Sequence, residues 1–174
     1  RSIPMTTPFV KQRDFICEEL MRLSIGLFYE GSPTGSRSYV SPPPLDTDDD
    51  YVFLVPEHML NRQIIMLGRH DFHPCSSGYP ESTFRSFKST TNPINLILIK
   101  DRKFFETYKE TTEIMIENFN LKSKYDRVSV FKSIRDLIFT EGSVSSSHIL
   151  HLQRVYSRPI DDFQVVESMP WDDT

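Results

Sequence analysis

Cysteine is scarce in this chain: 174 residues contain two, Cys17 and Cys75. No Cys-x-x-Cys pair exists, and two cysteines build no zinc site without histidines placed to help. A single disulfide is possible, but a reduced, intracellular protein is the simpler reading. Long apolar runs are missing as well, since none approaches the roughly 18 residues that cross a bilayer as a helix. There is no excess of positive charge, with 20 Lys and Arg against 24 Asp and Glu and a net charge of -4. The chain as a whole is therefore no general binder of nucleic acid, and sequence-specific DNA binding is not expected. Any polyanion must be held by a local patch or through a metal. No apolar leader follows the N-terminal charge, and Arg1 to Pro4, ahead of Met5, read as a cloning remnant outside the fold. A cytoplasmic protein without a membrane partner is the expectation, and no internal repeat or second domain is visible.

Apolar material is present in the amount one domain needs. Hydrophobic residues make up 38%, with 13 Phe and 7 Tyr, which excludes disorder throughout. The spacing of Phe9, Phe15 or Ile16, Leu20 and Leu23 predicts a helix over 8–23. Residues 24–30 read as a short strand and Gly31 to Arg37 as a loop. Pro42-Pro43-Pro44 forbids regular structure up to Leu45. A strand follows over Asp50 to Val55, then a helix from Pro56 to about Leu67 with Gly68 as its stop. Asp71 to Pro80 reads as irregular. Residues 82–88 and Ile94 to Ile99 form a hairpin around Thr90 to Pro93. Asp101 caps a helix to about Phe119, a second runs from Ser123 to about Phe139, and a short one covers Ile149 to Tyr156. The order is that of an α+β domain over residues 5–142, with a partly helical C-terminal tail over 143–174 packed on it or flexible.

The chemistry concentrates before the second strand. Asp46, Asp48, Asp49 and Asp50 crowd four carboxylates next to Tyr51-Val52-Phe53-Leu54-Val55. Such a cluster repels itself unless solvent or a cation compensates it. Residues i and i+2 of a strand share a face at about 6.5 Å, so Asp48 and Asp50 aim one way and Asp49 the other. Two carboxylates so placed can grip Mg²⁺ for phosphoryl chemistry. Gly35 permits a tight turn, and Ser36 with Arg37 can hold a phosphate. A solvated acidic loop is the plainer alternative. A calcium loop on Asp46, Asp48 and Asp50 fits poorly: Tyr51 and Glu57 fall where its glycine and final glutamate belong, and the apolar strand starts too early.

Several other residues carry two readings. Arg85 and Lys88 can meet a triphosphate or guard a strand edge. His70 and His73 flank Asp71 near Cys75 and read as loop residues rather than a metal site. Tyr39 can stack on a base or pack in the core.

Gly35-Ser36-Arg37-Ser38-Tyr39 followed by Asp48-x-Asp50-Tyr51-Val52 resembles the signature of the polymerase-β-type nucleotidyltransferase superfamily. More closely, these residues together with Phe84-Arg85-Ser86-Phe87-Lys88 and Asn95-Leu96-Ile97 resemble small nucleotidyltransferase-like proteins encoded by bacteriophages. The resemblance covers roughly residues 24–135. It implies a nucleotidyltransferase fold, a small mixed β-sheet packed against helices. It also implies transfer of a nucleotidyl group from a nucleoside triphosphate to a hydroxyl on RNA, protein or a small molecule. By the same resemblance Asp48 and Asp50 ligate Mg²⁺ or Mn²⁺, Gly35 and Ser36 hold phosphates, and Arg37 or Lys88 offsets charge. Asn95 stands where active members carry a third acid, and an amide cannot accept a proton. Asp71, Asp101 or Glu30 are the carboxylates that could replace it. The alternative is a catalytically inactive module of viral origin that binds a nucleotide or a host protein.

Overall fold

The computed structural model describes residues 25–45, 47–75 and 84–156. The helix expected over 8–23, together with Cys17 and Asp46, lies outside them. The described chain runs α1 (Ile25–Phe28), β1 (Gly31–Thr34), α2 (Ser36–Tyr39), β2 (Asp49–Leu54), α3 (Glu57–Arg69), β3 (Phe72–Cys75), β4 (Phe84–Ser89), β5 (Ile94–Ile99), α4 (Arg102–Asn118), α5 (Lys124–Glu141) and α6 (Ser146–Tyr156). The strands form one mixed five-stranded sheet in the order β1-β2-β5-β4-β3. β2 and β5 run parallel at its centre, while the outer pairs are antiparallel.

β5 explains the layering. All six residues of Ile94–Ile99 are buried, so the strand is covered on both faces. On one face Ile94, Leu96 and Leu98 join Tyr51, Phe53, Phe72 and Phe87 against Ile25 of α1 and Leu67 of α3. On the other, Val52, Ile97 and Ile99 pack on Phe104 and Phe105 of α4. A further cluster binds the helical layer together, with Met115, Phe119, Val130, Phe131, Ile134, Ile138 and Leu152 around Tyr39 and Val40. Leu152 puts α6 in that layer, and its Gln153 Nε2 donates to the Asn118 carbonyl at 2.9 Å.

Helix ends follow their sequence signals. The Asp101 carboxylate accepts from the Phe104 N–H at 2.9 Å, and Ser123 caps α5 through the Asp126 N–H. Gly142 closes α5 in the left-handed conformation at φ 85°.

Four expectations are corrected. Residues 25–28 are a helical turn rather than part of a strand, closed by Tyr29 N–H donating to the Ile25 carbonyl. Burial of Ile25 against the sheet outweighs the β-propensity of its neighbours. Gly31 to Arg37 is not a loop but an edge strand and the start of α2. Pro33 is tolerated because β1 is an edge. Gly68 lies inside α3, which continues to Arg69. Within the stretch read as irregular, Phe72–Cys75 is a strand on the opposite edge. Pro74 disguised it, and Phe72 anchors it in the core.

Removing the α4 cap with Asp101→Ala costs about 1 kcal/mol of stability, read by urea denaturation; an unchanged midpoint argues against the cap.

Candidate functional site

Register across the sheet brings distant residues into one polar row. Thr34 pairs with Asp50, Asp50 with Asn95, Asn95 with Lys88, and Lys88 with His73. All five lie on the face that carries α4, at the end of the sheet where β2 and β5 begin. The next row inward is Ser32, Val52, Ile97, Ser86 and Cys75.

The acidic run divides as strand alternation demands. Asp48 and Asp50 belong to the polar face, and the Lys88 Nζ lies 3.7 Å from Asp48 Oδ2. Asp49 points to the opposite face and is buried, 2% exposed, with Arg37 Nε 3.6 Å from its Oδ1. Arg37 is itself buried, and its Nη1 donates to the Pro44 carbonyl. The guanidinium thus neutralises Asp49 and ties down the proline loop. Sequence spacing placed Arg37 next to Ser36 but could not show that its partner is the middle aspartate.

Gly35 is forced. Its φ is 79°, a region L side chains rarely adopt, and a Cβ there would lie 2.0 Å from Asp50 Oδ2. The turn after β1 thus sits directly against the Asp50 carboxylate. Ser36 opens α2, and the Ser38 hydroxyl donates to the Thr34 carbonyl at 2.9 Å, bracing the same turn. Thr34 in turn shares a 2.8 Å hydrogen bond with Thr112 of α4.

Asp50 is the electrostatically unusual group. Burial pushes its carboxyl up to about 7, opposed by a hydrogen bond from the Asn95 side chain and reinforced by the negative charges of Asp48 and Asp49. Lys88 pulls it the other way. Asn95 is buried, and its Oδ1 accepts from Ser86 Oγ at 2.8 Å. Cys75 Sγ lies 3.1 Å from Ser86 Oγ.

The carboxylates proposed to replace Asn95 are elsewhere. Glu30 is paired with Arg102 at 2.9 Å, and Asp101 caps α4, both at the far end of the strands. Asp71 precedes β3 at the sheet's edge and holds the β4–β5 turn through its carbonyl, which accepts from the Thr90 N–H. Tyr39 is a core residue stacked on Phe131 with centroids 6.1 Å apart. Arg85 lies over the Phe87 ring, on the face away from the acids. Ser86 was given no role in the sequence, and His73 and Cys75, read there as loop residues, lie in β3. The i, i+2 relation of Ser86 to Lys88 was the available signal; the other two needed the edge strand.

Among the described residues no group of three or more His, Cys, Asp or Glu is placed to hold a metal. Asp48 and Asp50 remain as a pair on one face. Mg²⁺ is commonly held by one or two carboxylates, with substrate phosphates and water completing its shell, so a pair with a buried, charge-crowded member fits a cation carried in with a nucleotide. Also among the described residues, no helix is long and apolar enough to cross a membrane.

No protein-family model and no curated protein matches the chain. Among solved structures it is similar to the conserved protein GrpB from Enterococcus faecalis, with a TM-score of 0.50 and 13% identity, over 86% of this chain and 93% of that one. The fold is α+β, a small mixed sheet packed against helices, shared with that protein. At that identity the likeness speaks for architecture alone.

Gly35→Ala destabilises the fold by more than about 2 kcal/mol, from left-handed strain plus the clash with Asp50. Thermal or urea unfolding reads this, and a loss below about 0.5 kcal/mol contradicts the close approach. A second expectation concerns pH. The folded carboxyl of Asp50 titrates near 7, above its unfolded value, so its contribution is most favourable in acid and is lost as pH rises through 7. Asp50→Asn removes that loss: its melting temperature gains on the parent between pH 5 and pH 8, and a constant difference across that range contradicts the assignment.

Proposed function

We propose that the chain is a metal-dependent nucleotidyltransferase that moves a nucleotidyl group from a nucleoside triphosphate to a hydroxyl acceptor on RNA, protein or a small molecule. The observation that carries this reading is the seating of Asp50 against the left-handed Gly35 turn, which puts a carboxylate and a turn without a Cβ side by side. Asp48 and Asp50 would hold Mg²⁺ or Mn²⁺, which when bound offsets triphosphate charge and polarises the phosphoryl oxygens. Gly35 would offer its backbone to the phosphates beside the Asp50 carboxylate, which fills the space a Cβ would take. Ser36 offers its amide and hydroxyl beside that bend. Lys88, held by Asp48 and partly exposed, supplies positive charge on the same face. The polar face is backed by Val52 and Ile97, so charge interactions there are poorly screened.

A second reading is favoured by a specific residue. Asn95 stands at the third position of the row and has no basic site, so the row offers no third carboxylate to take the acceptor's proton. An inactive nucleotide- or host-protein-binding module of viral origin accommodates that, and the likeness of the Phe84 to Lys88 block to bacteriophage-encoded proteins supports it.

Titration calorimetry with Mg²⁺-ATP and Mg²⁺-GTP tests the site. The double variant Asp48→Asn with Asp50→Asn is expected to lose at least about tenfold in affinity; equal binding by parent and variant removes the assignment. Incubation with α-labelled triphosphate, Mg²⁺ or Mn²⁺ and cell extract separates the readings, because label on an acceptor requires turnover and binding without label favours the inactive module.

A further inference from the structure

Asn95 lies between two partners that constrain it differently. On one side it is the cross-strand partner of Asp50 in the β2–β5 register, with its side chain against that carboxylate. On the other, Ser86 Oγ is 2.8 Å from its Oδ1, with Cys75 Sγ 3.1 Å beyond. Both Asn95 and Ser86 are 7% exposed, so water does not readily replace either contact. Ser86 Oγ donates to the amide oxygen, so the edge of the amide left to face Asp50 is its NH₂. The Ser86 oxygen is left to accept from the Cys75 thiol. Donors run one way along the chain: Cys75 to Ser86, Ser86 to Asn95, Asn95 to Asp50.

We propose that Asn95 is a positioning residue rather than a third metal ligand: its amide NH₂ orients the Asp50 carboxylate, and Ser86 fixes the amide in that orientation. Its oxygen, the one atom that could ligate a hard cation, faces Ser86 and Cys75, with Cys75 Sγ 3.9 Å away, rather than the acids. An aspartate at this place would offer a second oxygen; the asparagine offers none. For cation binding the consequence rests on the reading above: the site takes a single divalent ion with its nucleotide, and Lys88 supplies the remaining positive charge from the neighbouring position of the row.

The first measurement needs neither metal nor nucleotide. In side-chain amide NMR spectra of the full chain, the Asn95 pair is expected as one sharp set, with a proton displaced downfield of free amides. Asp50→Ala returns that proton to the free-amide position, and Asp50→Asn, the gentler change, returns it in part. Ser86→Ala splits or broadens the pair as the amide samples both orientations, and Ser86→Thr restores a single set. A wild-type pair at the free-amide position, or one that Asp50→Ala does not move, overturns the proposal. The second measurement counts Mn²⁺ by electron paramagnetic resonance with a non-hydrolysable triphosphate. A single ion is expected for the parent and a second for Asn95→Asp; a second ion on the parent overturns the proposal. Ser86→Ala weakens Mn²⁺-nucleotide affinity about tenfold and Ser86→Thr restores it to within about threefold, as an orienting partner should. Loss of all Mn²⁺-nucleotide binding with the amide signature intact removes the nucleotidyl-transfer reading and leaves the Asn95–Asp50 pair standing.

Discussion

The contact between the Asp50 carboxylate and the bare Cα of Gly35 is the constraint on which the rest of the site depends. β1 runs antiparallel to β2 and places Thr34 opposite Asp50. The chain must leave the sheet at the next residue, because α2 carries Tyr39 and Val40 into the helical layer. Only a residue without Cβ can turn there at φ 79° with a carboxylate against it. The same turn therefore sets the edge of the sheet, the entry into the helices and the seat of the acid. Thr34 adds a side-chain link from the edge strand to α4 through Thr112, so the turn is braced from the layer it feeds.

Strand alternation solves a charge problem that the acidic run creates. Three consecutive aspartates on one surface would repel one another severely, but β2 sends Asp49 through to the opposite face. There it meets the buried Arg37, and the same guanidinium fixes the Pro44 carbonyl. Removing one member of a buried ion pair is costlier than lacking both, so Arg37 and Asp49 act as a structural unit. Asp48 reaches Lys88 at a part-exposed position, where solvent shares the work. Asp50 is buried, and the Asn95 amide and the Lys88 ammonium only partly oppose that burial and the charges of Asp48 and Asp49, so its carboxyl resists ionisation.

Much of the fold was legible because its signals are local and redundant. Ile94 to Ile99 is an unbroken apolar run, and Asp101 and Ser123 stand where caps belong. The edge strands were hidden because each contains a proline, which is permitted only where no ladder partner is required. Ile25 misled in the other direction, since its burial against Tyr51 and Phe53 is a tertiary matter that propensity does not record. At the site, the i, i+2 spacing gave the common face of Asp48 and Asp50, and the resemblance to a Gly-Ser turn signature pointed to Gly35. The pairing of Arg37 with Asp49 could not be read, because adjacency in sequence to Ser36 says nothing about which face of β2 its side chain reaches. Ser86 and Cys75 acquire their meaning only through the register of β4 and β3 against Asn95.

The abruptness of the boundary behind the polar row matters as much as the row itself. Two residues along β2 from Asp50 is Val52, fully buried, and two along β5 from Asn95 is Ile97, both packed on Phe104 and Phe105. One step of the pleat thus takes the surface from carboxylate to hydrocarbon. A charge at that boundary is half-solvated at best, and any compensating group acts on it with little screening. A hydrogen-bond donor is a weaker compensator than a full positive charge, so Asn95 leaves part of the imbalance in place where an arginine or a buried lysine would have removed it. That residual imbalance favours a mobile positive partner over a fixed one. Lys88 is too exposed and too committed to Asp48 to supply it fully, and a divalent ion delivered with its own anionic ligands would meet the requirement without leaving the empty site overcharged.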